Sequence, residues 1–456
     1  MQSLWSLSTE NKNRIAVIEQ SGESYRYEQL QSDVLDVSFK IKSSRKQLVL
    51  ILAENNYRSV ANYLAVLQNG DAVMLLNADL EEQLLRTVID SYQPAWILGD
   101  MDHVDYSEFK EGILKRKIEH GFDIHEDLAL LLSTSGTTGS VKFVRLSHDN
   151  IVANACSISH YLEITPEERG MANLPMHYSY GLSVINSHLY AGATILLTSD
   201  SVLTKDFWAF MRNEKATSFA GVPYTYQMLQ RIGFLKMDLP DIRYFTQAGG
   251  RLNEKLIRLF GEFAKEKGKK FYVMYGQTEA TARISYLPHE FLLEKPASIG
   301  KAIPDGKLAL DSETSELVYE GPNVMMGYAE NFSDLAKGDE LKGRLRTGDL
   351  ADVDDDGFYY IKSRMKRFIK LFGLRLNLDD IEKQIETELH TQVVCVGSDD
   401  KMIVAIQSDE HKEKIQDLIE NLYKLHRSAF RLKQIEEIPR LPNGKVNYEA
   451  LKELVI

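Results

Sequence analysis

A loop rich in hydroxyl side chains and glycine is the first candidate site in this 456-residue sequence. It reads STSGTTGSVK over residues 133–142 and directly follows the apolar run LALLL. Backbone N–H groups, hydroxyl donors and flexible glycines at the end of a buried strand suit phosphate binding, and Lys142 adds a positive charge. The pattern GxxxxGK[ST] is not met, because Ser140 and Val141 separate Gly139 from the lysine, so a P-loop kinase or GTPase is not expected. Without further motifs, a flexible surface loop would be the better interpretation.

An acidic residue at the end of a predicted strand is the second candidate. The segment YGQTE at residues 275–279 places Glu279 at the carboxyl edge of a sheet, where a carboxylate suits a hard cation such as Mg²⁺ beside phosphates. On its own, this glutamate would be interpreted as an ordinary exposed side chain. Four further segments complete the set, namely AGG at 248–250, RTGDL at 346–350, SRMKRFIKLFG at 363–373 and PRLPNGKVNYEAL at 439–451.

These six segments, in their order along the chain, resemble the motifs of the adenylate-forming superfamily. That superfamily includes acyl- and aryl-CoA synthetases, firefly luciferase and the adenylation domains of nonribosomal peptide synthetases. The resemblance covers nearly the whole chain, from SYRYEQL at residues 24–30 through Lys445. Two departures are visible: residues 141–143 read Val-Lys-Phe where the family usually has Pro-Lys-Gly, and Asn447 stands where the family often has an arginine.

The resemblance implies which residues bind ATP and Mg²⁺. The loop would hold the β- and γ-phosphates through Thr134, Ser135, Gly136, Thr137, Thr138, Gly139 and Lys142. Thr278 would meet the α-phosphate, and Glu279 would hold the metal ion. The adenosine would contact Ala248, Gly249, Gly250, Tyr275, Gly276, Gln277, Asp349 and Arg364, the last two through the ribose.

Three lysines are implied to divide the work between two half-reactions. Lys445 matches the lysine that neutralises the carboxylate and the α-phosphate during adenylation, and Lys370 matches one presented in the second half-reaction. Lys366 falls on the hinge between the large and small domains. For a bare run of charges, a solvated basic face made by residues 362–370 would be the alternative interpretation.

The segment LPMHYSYGLS at residues 174–183 is implied to line the acyl pocket, with Tyr178 at the gating position and Tyr180 in the pocket. His177 is interpreted as a packing residue, because a thiol acceptor needs no dedicated base. Arg283 falls where related enzymes carry an apolar pocket residue. A buried guanidinium there would need an anionic or strongly polar partner, so the acid's far end would be polar, or the arginine would turn away toward Glu290 or Glu294; we favour the second alternative.

Elements that could position these residues are visible in the hydrophobic pattern. Short apolar runs such as LVLILA at residues 48–53 alternate with amphipathic helices, which predicts an α/β fold with a parallel sheet whose ligands gather at the strand carboxyl ends. We predict a large N-terminal AMP-binding domain over residues 1–363, built of layered α/β subdomains and a small β subdomain. A small, mobile α+β lid domain is predicted over residues 364–456.

Composition and charge exclude several classes of protein. A net charge of -12 leaves no broad basic surface for nucleic acid or anionic membranes, and the two cysteines, Cys156 and Cys395, form no metal-ligand spacing. No apolar run is long enough for a membrane span, and the first residues lack the pattern of a secretory leader. A cytoplasmic protein, monomeric or homodimeric, is expected.

The function implied is ATP-dependent conversion of a carboxylic acid to an acyl-adenylate with release of pyrophosphate. The acyl group would then pass to a thiol, most simply that of coenzyme A, which makes the chain an AMP-forming acid–thiol ligase. Two alternatives stay open: transfer to the phosphopantetheine of an acyl carrier protein or to an amine, and a catalytically silent adenylate-binding module.

Overall fold

The computed structural model describes residues 12–118, 121–133, 142–364, 367–371, 374–398, 401–423, 425, 427–441 and 444–455. The chain divides into two compact units. One comprises Met1–Leu308 with Tyr319–Leu345, and the other comprises Ala309–Val318 with Arg346–Ile456. The predicted hinge, Lys366, lies outside the described residues, so a domain boundary at that position stays a prediction.

The described residues form the following elements. The strands are β1 (Ile15–Glu19), β2 (Ser24–Arg26), β3 (Leu48–Ala53), β4 (Ala72–Asn77), β5 (Trp96–Leu98), β6 (Tyr106–Lys110), β7 (Ile113–Arg116), β8 (Leu128–Ser133), β9 (Phe143–Ser147), β10 (Arg169–Ala172), β11 (Thr194–Leu197), β12 (Ser218–Gly221), β13 (Tyr244–Gln247), β14 (Lys270–Tyr275), β15 (Ser285–Leu287), β16 (Lys301–Ala302), β17 (Lys307–Leu310), β18 (Glu316–Glu320), β19 (Gly327–Ala329), β20 (Arg344–Val353), β21 (Tyr359–Arg364), β22 (Phe368–Leu371), β23 (Leu374–Asn377), β24 (Val393–Ser398), β25 (Lys401–Ile406) and β26 (Phe430–Gln434). The α-helices are α1 (Tyr27–Ile41), α2 (Tyr57–Gln68), α3 (Glu82–Tyr92), α4 (His148–Tyr161), α5 (Ser179–Tyr190), α6 (Lys205–Asn213), α7 (Pro223–Arg231), α8 (Glu254–Glu266), α9 (Leu378–Leu389), α10 (Lys412–Tyr423) and α11 (Tyr448–Val455).

Two large sheets organise the first unit. One has the order β16-β15-β14-β13-β12-β10-β11-β1-β2, in which the run from β14 to β1 is parallel and the edges are antiparallel. The other has the order β19-β9-β8-β4-β3-β5-β7-β6, with β3, β4, β5 and β8 parallel. The central strand β3 is buried along its whole length, which explains its continuous apolar sequence, LVLILA. The predicted α/β class is confirmed.

Helices α4 and α5 pack against each other in the first unit. Helix α4 begins with a capping box, in which Ser147 Oγ accepts from the Asn150 N–H at 3.1 Å and Asn150 Oδ1 accepts from the Ser147 N–H at 2.9 Å. Helix α5 begins at Ser179, directly after Tyr178. The segment predicted to line the acyl pocket therefore enters a helix that is almost entirely buried.

The second unit is smaller and mixes strands and helices. Strands β24, β25 and β26 form a sheet in that order, and helices α9 and α11 contact β24. A hairpin turn separates β20 from β21, where the Asp354 N–H donates to the Phe358 carbonyl at 3.0 Å and Gly357 has φ of +78°. The turn contains Asp356-Gly357, a dipeptide that is common in hairpin turns.

Most strands of the predicted small β subdomain form one sheet. Strands β17, β18, β20 and β21 form a four-stranded sheet, whereas β19 pairs with β9 in the eight-stranded sheet. No helix in the described part of the chain is long and apolar enough to cross a lipid bilayer.

Candidate active site

The strands on either side of the predicted phosphate-binding loop pair with each other. Strand β8 ends at Ser133 and β9 begins at Phe143, and these two residues are antiparallel partners. The loop residues Thr134, Ser135, Gly136, Thr137, Thr138 and Gly139 lie outside the described residues, so their roles stay predictions. The loop lysine is described, and Lys142 Nζ lies 3.8 Å from the centroid of the Tyr328 ring.

Tyr328 joins that lysine to the predicted metal ligand. Its hydroxyl donates to Glu279 Oε1 at 2.8 Å. Burial, together with the nearby carboxylate, raises the pKa of Tyr328, so the phenol keeps its proton and can serve as the donor. Sequence reasoning missed this tyrosine, because no sequence signal shows that β19 pairs with β9 beside the loop.

The YGQTE segment leaves β14 through a tight turn. A Cβ on Gly276 would lie 2.0 Å from the Ala282 carbonyl oxygen, so only glycine fits there. Thr278 begins a short 3₁₀ turn, and its Oγ1 lies 3.2 Å from Ser179 Oγ at the start of α5. The half-buried Glu279 therefore stands at the carboxyl end of a parallel strand, which is the position the sequence predicts.

The AGG turn follows the neighbouring strand, β13. Gly249 has φ of +84°, and a Cβ there would lie 2.6 Å from the Tyr178 hydroxyl and 3.2 Å from Val222. The Gly250 carbonyl accepts from Gln247 Nε2 at 2.8 Å. A positive φ and close neighbours both require glycine at position 249. The turn predicted to carry adenine and the residue predicted to gate the acyl pocket are thus in direct contact.

The three predicted acyl-pocket residues lie together. The guanidinium of Arg283 stacks on the Tyr180 ring, with 4.1 Å from Cζ to the ring centroid, and the rings of Tyr178 and Tyr180 are 6.3 Å apart. Arg283 is only 3% exposed. The favoured alternative, a pair with Glu290 or Glu294, is not the arrangement found among the described residues. Glu290 Oε1 lies 3.3 Å from His289 Nε2 instead.

The interpretation of His177 as a packing residue stays a prediction. Burial lowers the pKa of this imidazole to about 4, so it is neutral near pH 7.

The predicted ribose-binding pair is assembled in the second unit. Asp349 on β20 and Arg364 on β21 are cross-strand partners, and Arg364 Nε lies 3.2 Å from Asp349 Oδ1. The Arg364 backbone N–H donates to Asp379 at 3.1 Å. Asp349 is 4% exposed, and its pair with Arg364 orients the carboxylate. An oriented carboxylate of this kind can accept two hydroxyl hydrogen bonds.

The lysines predicted for catalysis both belong to the second unit. Lys370 lies on β22, opposite Arg375 of β23. Lys445 follows a turn in which Gly444, with φ of +78°, donates to the Leu441 carbonyl at 2.8 Å. Asn447, which replaces the family's arginine, accepts from the Ala450 N–H at 3.1 Å and so caps α11.

Arg367 does not belong to a solvated basic face. Its guanidinium pairs with Glu382 at 2.8 Å, donates to the Cys395 carbonyl at 2.7 Å and lies 4.3 Å from the Tyr448 ring centroid. It also pairs with Asp379. This arginine therefore joins β24, α9 and α11 inside the second unit.

Comparison with protein families and curated proteins gives consistent matches. A family model described as AMP-binding enzyme matches residues 5–329. A 2-succinylbenzoate–CoA ligase of Bacillus cereus is 26% identical over 472 residues, which cover 96% of this chain and 95% of the ligase. A luciferin 4-monooxygenase of Photuris pensylvanica is 25% identical over 446 residues, covering 90% of this chain and 76% of that protein.

Solved structures share the fold. The o-succinylbenzoate CoA synthetase of Bacillus subtilis, in complex with its acyl-adenylate intermediate, superposes with a TM-score of 0.79 at 20% identity, covering 99% of this chain and 98% of that one. ATP-bound MatB of Rhodopseudomonas palustris gives a TM-score of 0.77 at 21% identity, covering 99% and 97% of the two chains. At these identities the structural likeness concerns the fold alone.

Proposed function

The chain belongs to the AMP-binding enzyme family, and we propose that it is an AMP-forming acid–thiol ligase. In the first half-reaction a carboxylate oxygen of the substrate attacks the α-phosphorus of ATP. The bond from that phosphorus to the bridging oxygen breaks, and pyrophosphate leaves. In the second, a thiolate attacks the acyl carbon, AMP leaves, and the thiol proton passes to solvent.

The contact chain from Lys142 through Tyr328 to Glu279 carries this proposal. It links the loop lysine to a carboxylate at the end of β14, across residues that lie far apart in the sequence. A cation and an anion held beside each other in this way suit a phosphate chain with its counter-ion. Two further features support the proposal: the positive-φ glycine turn at Gly249 and the buried carboxylate of Asp349, which the family resemblance implies for adenine and ribose.

Positioning and charge neutralisation would supply most of the catalysis, as in other phosphoryl and nucleotidyl transfers. Thr278, fixed by Ser179, would donate to the α-phosphate. Lys445 would balance the charge that develops as the carboxylate attacks, and Lys370 would serve the thioester step. A hinge at Lys366 would let the second unit present these lysines in turn.

Mg²⁺ fits the oxygen chemistry of the site. The half-buried Glu279 is oriented by the Tyr328 hydroxyl and offers a carboxylate oxygen, and Mg²⁺ commonly binds one or two carboxylates together with substrate phosphates. When bound, the ion would neutralise charge on the phosphates of ATP.

Coenzyme A is the proposed acceptor. The curated relatives that match over nearly the whole chain include 2-succinylbenzoate–CoA ligases, whose names state the same acceptor. Transfer to a carrier-protein phosphopantetheine uses the same thiol chemistry and is the second candidate.

The test is exchange of labelled pyrophosphate into ATP, measured across a panel of fatty, aromatic, amino and dicarboxylic acids. Acid-dependent exchange is expected, and Glu279→Gln should lower it by about 10² to 10³-fold. Consumption of free coenzyme A with a responding acid then separates the two acceptors. If no acid supports exchange while ATP still binds in calorimetry, the proposal is wrong and the chain is a silent adenylate-binding module.

A further inference from the structure

Arg283 is a buried cation whose charge meets no carboxylate in the described part of the chain. Its Nη2 donates to Ser183 Oγ at 3.3 Å and its Nη1 to the Ala282 carbonyl at 3.3 Å. Both hydrogen bonds are long, and Nε is buried with no hydrogen-bond partner among the described residues. A guanidinium taken out of water in this state is costly, because neutral oxygens do not replace its hydration.

Two other arginines of this chain, one buried and one half-buried, have carboxylate partners. Arg145 is fully buried, donates to the Tyr328 carbonyl at 3.1 Å and pairs with the carboxylate of Glu340. Arg367 pairs with Glu382 and Asp379. The fold thus supplies carboxylates to these two arginines, whereas the described residues give none to Arg283.

The aromatic residues around Arg283 do not supply the missing charge. The face of Tyr180 attracts the cation, but this attraction is weaker than that of an ion pair. Burial raises the pKa values of Tyr161, Tyr178 and Tyr180, so all three phenols are neutral at physiological pH.

The guanidinium lines a cavity within the first unit. Most of the lining is apolar or aromatic and includes Ile158, Val184 and Met274. The polar part is made by Ser183, Ser187 and His188 of α5 and by Ser218 and Thr246 of β12 and β13. Ligand pockets are typically lined mainly by apolar side chains, with a few placed polar groups that fix the ligand's orientation. One buried cation beside hydroxyls in such a cavity suits the anionic end of an otherwise apolar acid.

We propose that the carboxylic acid activated by this chain carries a second carboxylate at its far end, and that this carboxylate pairs with Arg283. The inference rests on the proposed function, because it concerns the acid of the same reaction. Arg283 then determines specificity: it discriminates against acids that end in a methyl group, since those would leave its charge buried and unpaired.

The experiment compares monocarboxylic and α,ω-dicarboxylic acids of equal chain length in pyrophosphate exchange. The wild-type protein should favour the dicarboxylic member of the best pair by on the order of 10²-fold in kcat/KM. Arg283→Leu should abolish or reverse that preference, and Arg283→Lys should keep part of it. Arg212→Leu, at an exposed position of α6, is the matched control and should leave the preference unchanged.

Thermal unfolding separates a specificity role from a structural one. Replacing an unpaired buried charge by leucine should leave the melting temperature equal or higher, whereas loss of a structural arginine would lower it. Addition of the preferred dicarboxylate with ATP should raise the melting temperature of the wild type and not that of Arg283→Leu.

Different negative results reject different proposals. Exchange that is equal or better with monocarboxylates, or a dicarboxylate preference that survives Arg283→Leu, overturns this inference and leaves the proposed function standing. The same holds if chloride at millimolar concentration stabilises the wild type as well as any diacid does, because the cavity then holds an inorganic anion. Absence of exchange with every acid instead rejects the proposed function itself.

Discussion

Tyr328 occupies a position between two charged groups, and each half of its side chain serves one of them. The ring lies under Lys142, and the hydroxyl holds one oxygen of Glu279. Such a neighbour fixes the orientation of a metal ligand without touching the metal, and loss of this support typically weakens metal binding by about 10 to 100-fold.

Tyr328→Phe should therefore raise the Mg²⁺ concentration needed for half-maximal pyrophosphate exchange by about tenfold or more. The ring that supports the lysine is kept, so the change isolates the hydroxyl. Tyr25→Phe, which also removes a hydroxyl hydrogen-bonded to a glutamate, serves as control. An unchanged Mg²⁺ dependence in Tyr328→Phe would show that Glu279 needs no orienting donor.

His188 makes the stability of the first unit sensitive to acid. This imidazole is 3% exposed, its Nδ1–H donates to the Val184 carbonyl at 2.8 Å, and a Cβ on the neighbouring Gly170 would collide with it. Burial lowers its pKa from 6.5 to about 4. Between those values the unfolded chain binds a proton that the folded chain does not, so stability falls as pH falls.

Melting temperatures measured from pH 7 to pH 4.5 should therefore decline, with His188 accounting for up to about 3 kcal/mol over the full range. His188→Gln should show a shallower decline, whereas His160→Gln, at an exposed position, should follow the wild type. Buried Asp71, whose pKa is raised to about 6 by burial, acts in the opposite direction, so the comparison between variants is the decisive measurement. If the melting temperature fell equally with pH in all three proteins, the assignment to His188 would be wrong.

At the scale of elements, the hydrophobic pattern predicts buried central strands of the first unit. The run LVLILA is β3, because a strand buried on both faces reads as a continuous apolar segment. Pairing between distant strands leaves no such signal. The pairing of β19 with β9, which brings Tyr328 to the loop, could not be predicted from local sequence.

Short sequence motifs predict which residues belong to the candidate site. They do not show which charged side chains the fold buries or which partners those side chains meet. Asp349 and Arg364, which the motifs assign to the ribose, are cross-strand partners, and their binding of ribose stays a prediction. Arg367, within the same basic run, is instead held inside the second unit by carboxylates, which a charge count does not reveal. The partners of Arg283 likewise depend on which side chains the fold brings around it.

Helix α11 depends on Asn447 for its start. The side chain caps the helix by accepting from Ala450, and the helix packs Leu451 and Val455 against the apolar face of β24. Asn447→Ala should lower the free energy of unfolding of the second unit by about 1 kcal/mol, and Asn447→Asp should retain most of the stability because aspartate also caps. Differential scanning calorimetry checks this, and equal stability of all three proteins would contradict the role of the cap.

At the scale of the whole molecule, the proposed lysines of the second unit should act in separate steps. Lys445→Ala should reduce pyrophosphate exchange by about 10² to 10³-fold, because one charge-stabilising donor is lost. Thioester formation from supplied acyl-adenylate should be nearly unchanged. Lys370→Ala should give the opposite pattern in the same two assays, and an equal loss of both half-reactions in either variant would reject the division.

The contact between Gly249 and the Tyr178 hydroxyl has a thermodynamic consequence. On the proposed assignments, one wall is shared by the nucleotide and the acid, since a Cβ on Gly249 would lie 2.6 Å from the tyrosine hydroxyl. If a bound acid changes the affinity for ATP through this wall, ATP must by linkage change the affinity for the acid by the same factor. A substitution at position 178 that alters this coupling alters it for both substrates, so the two binding functions evolve under a common constraint.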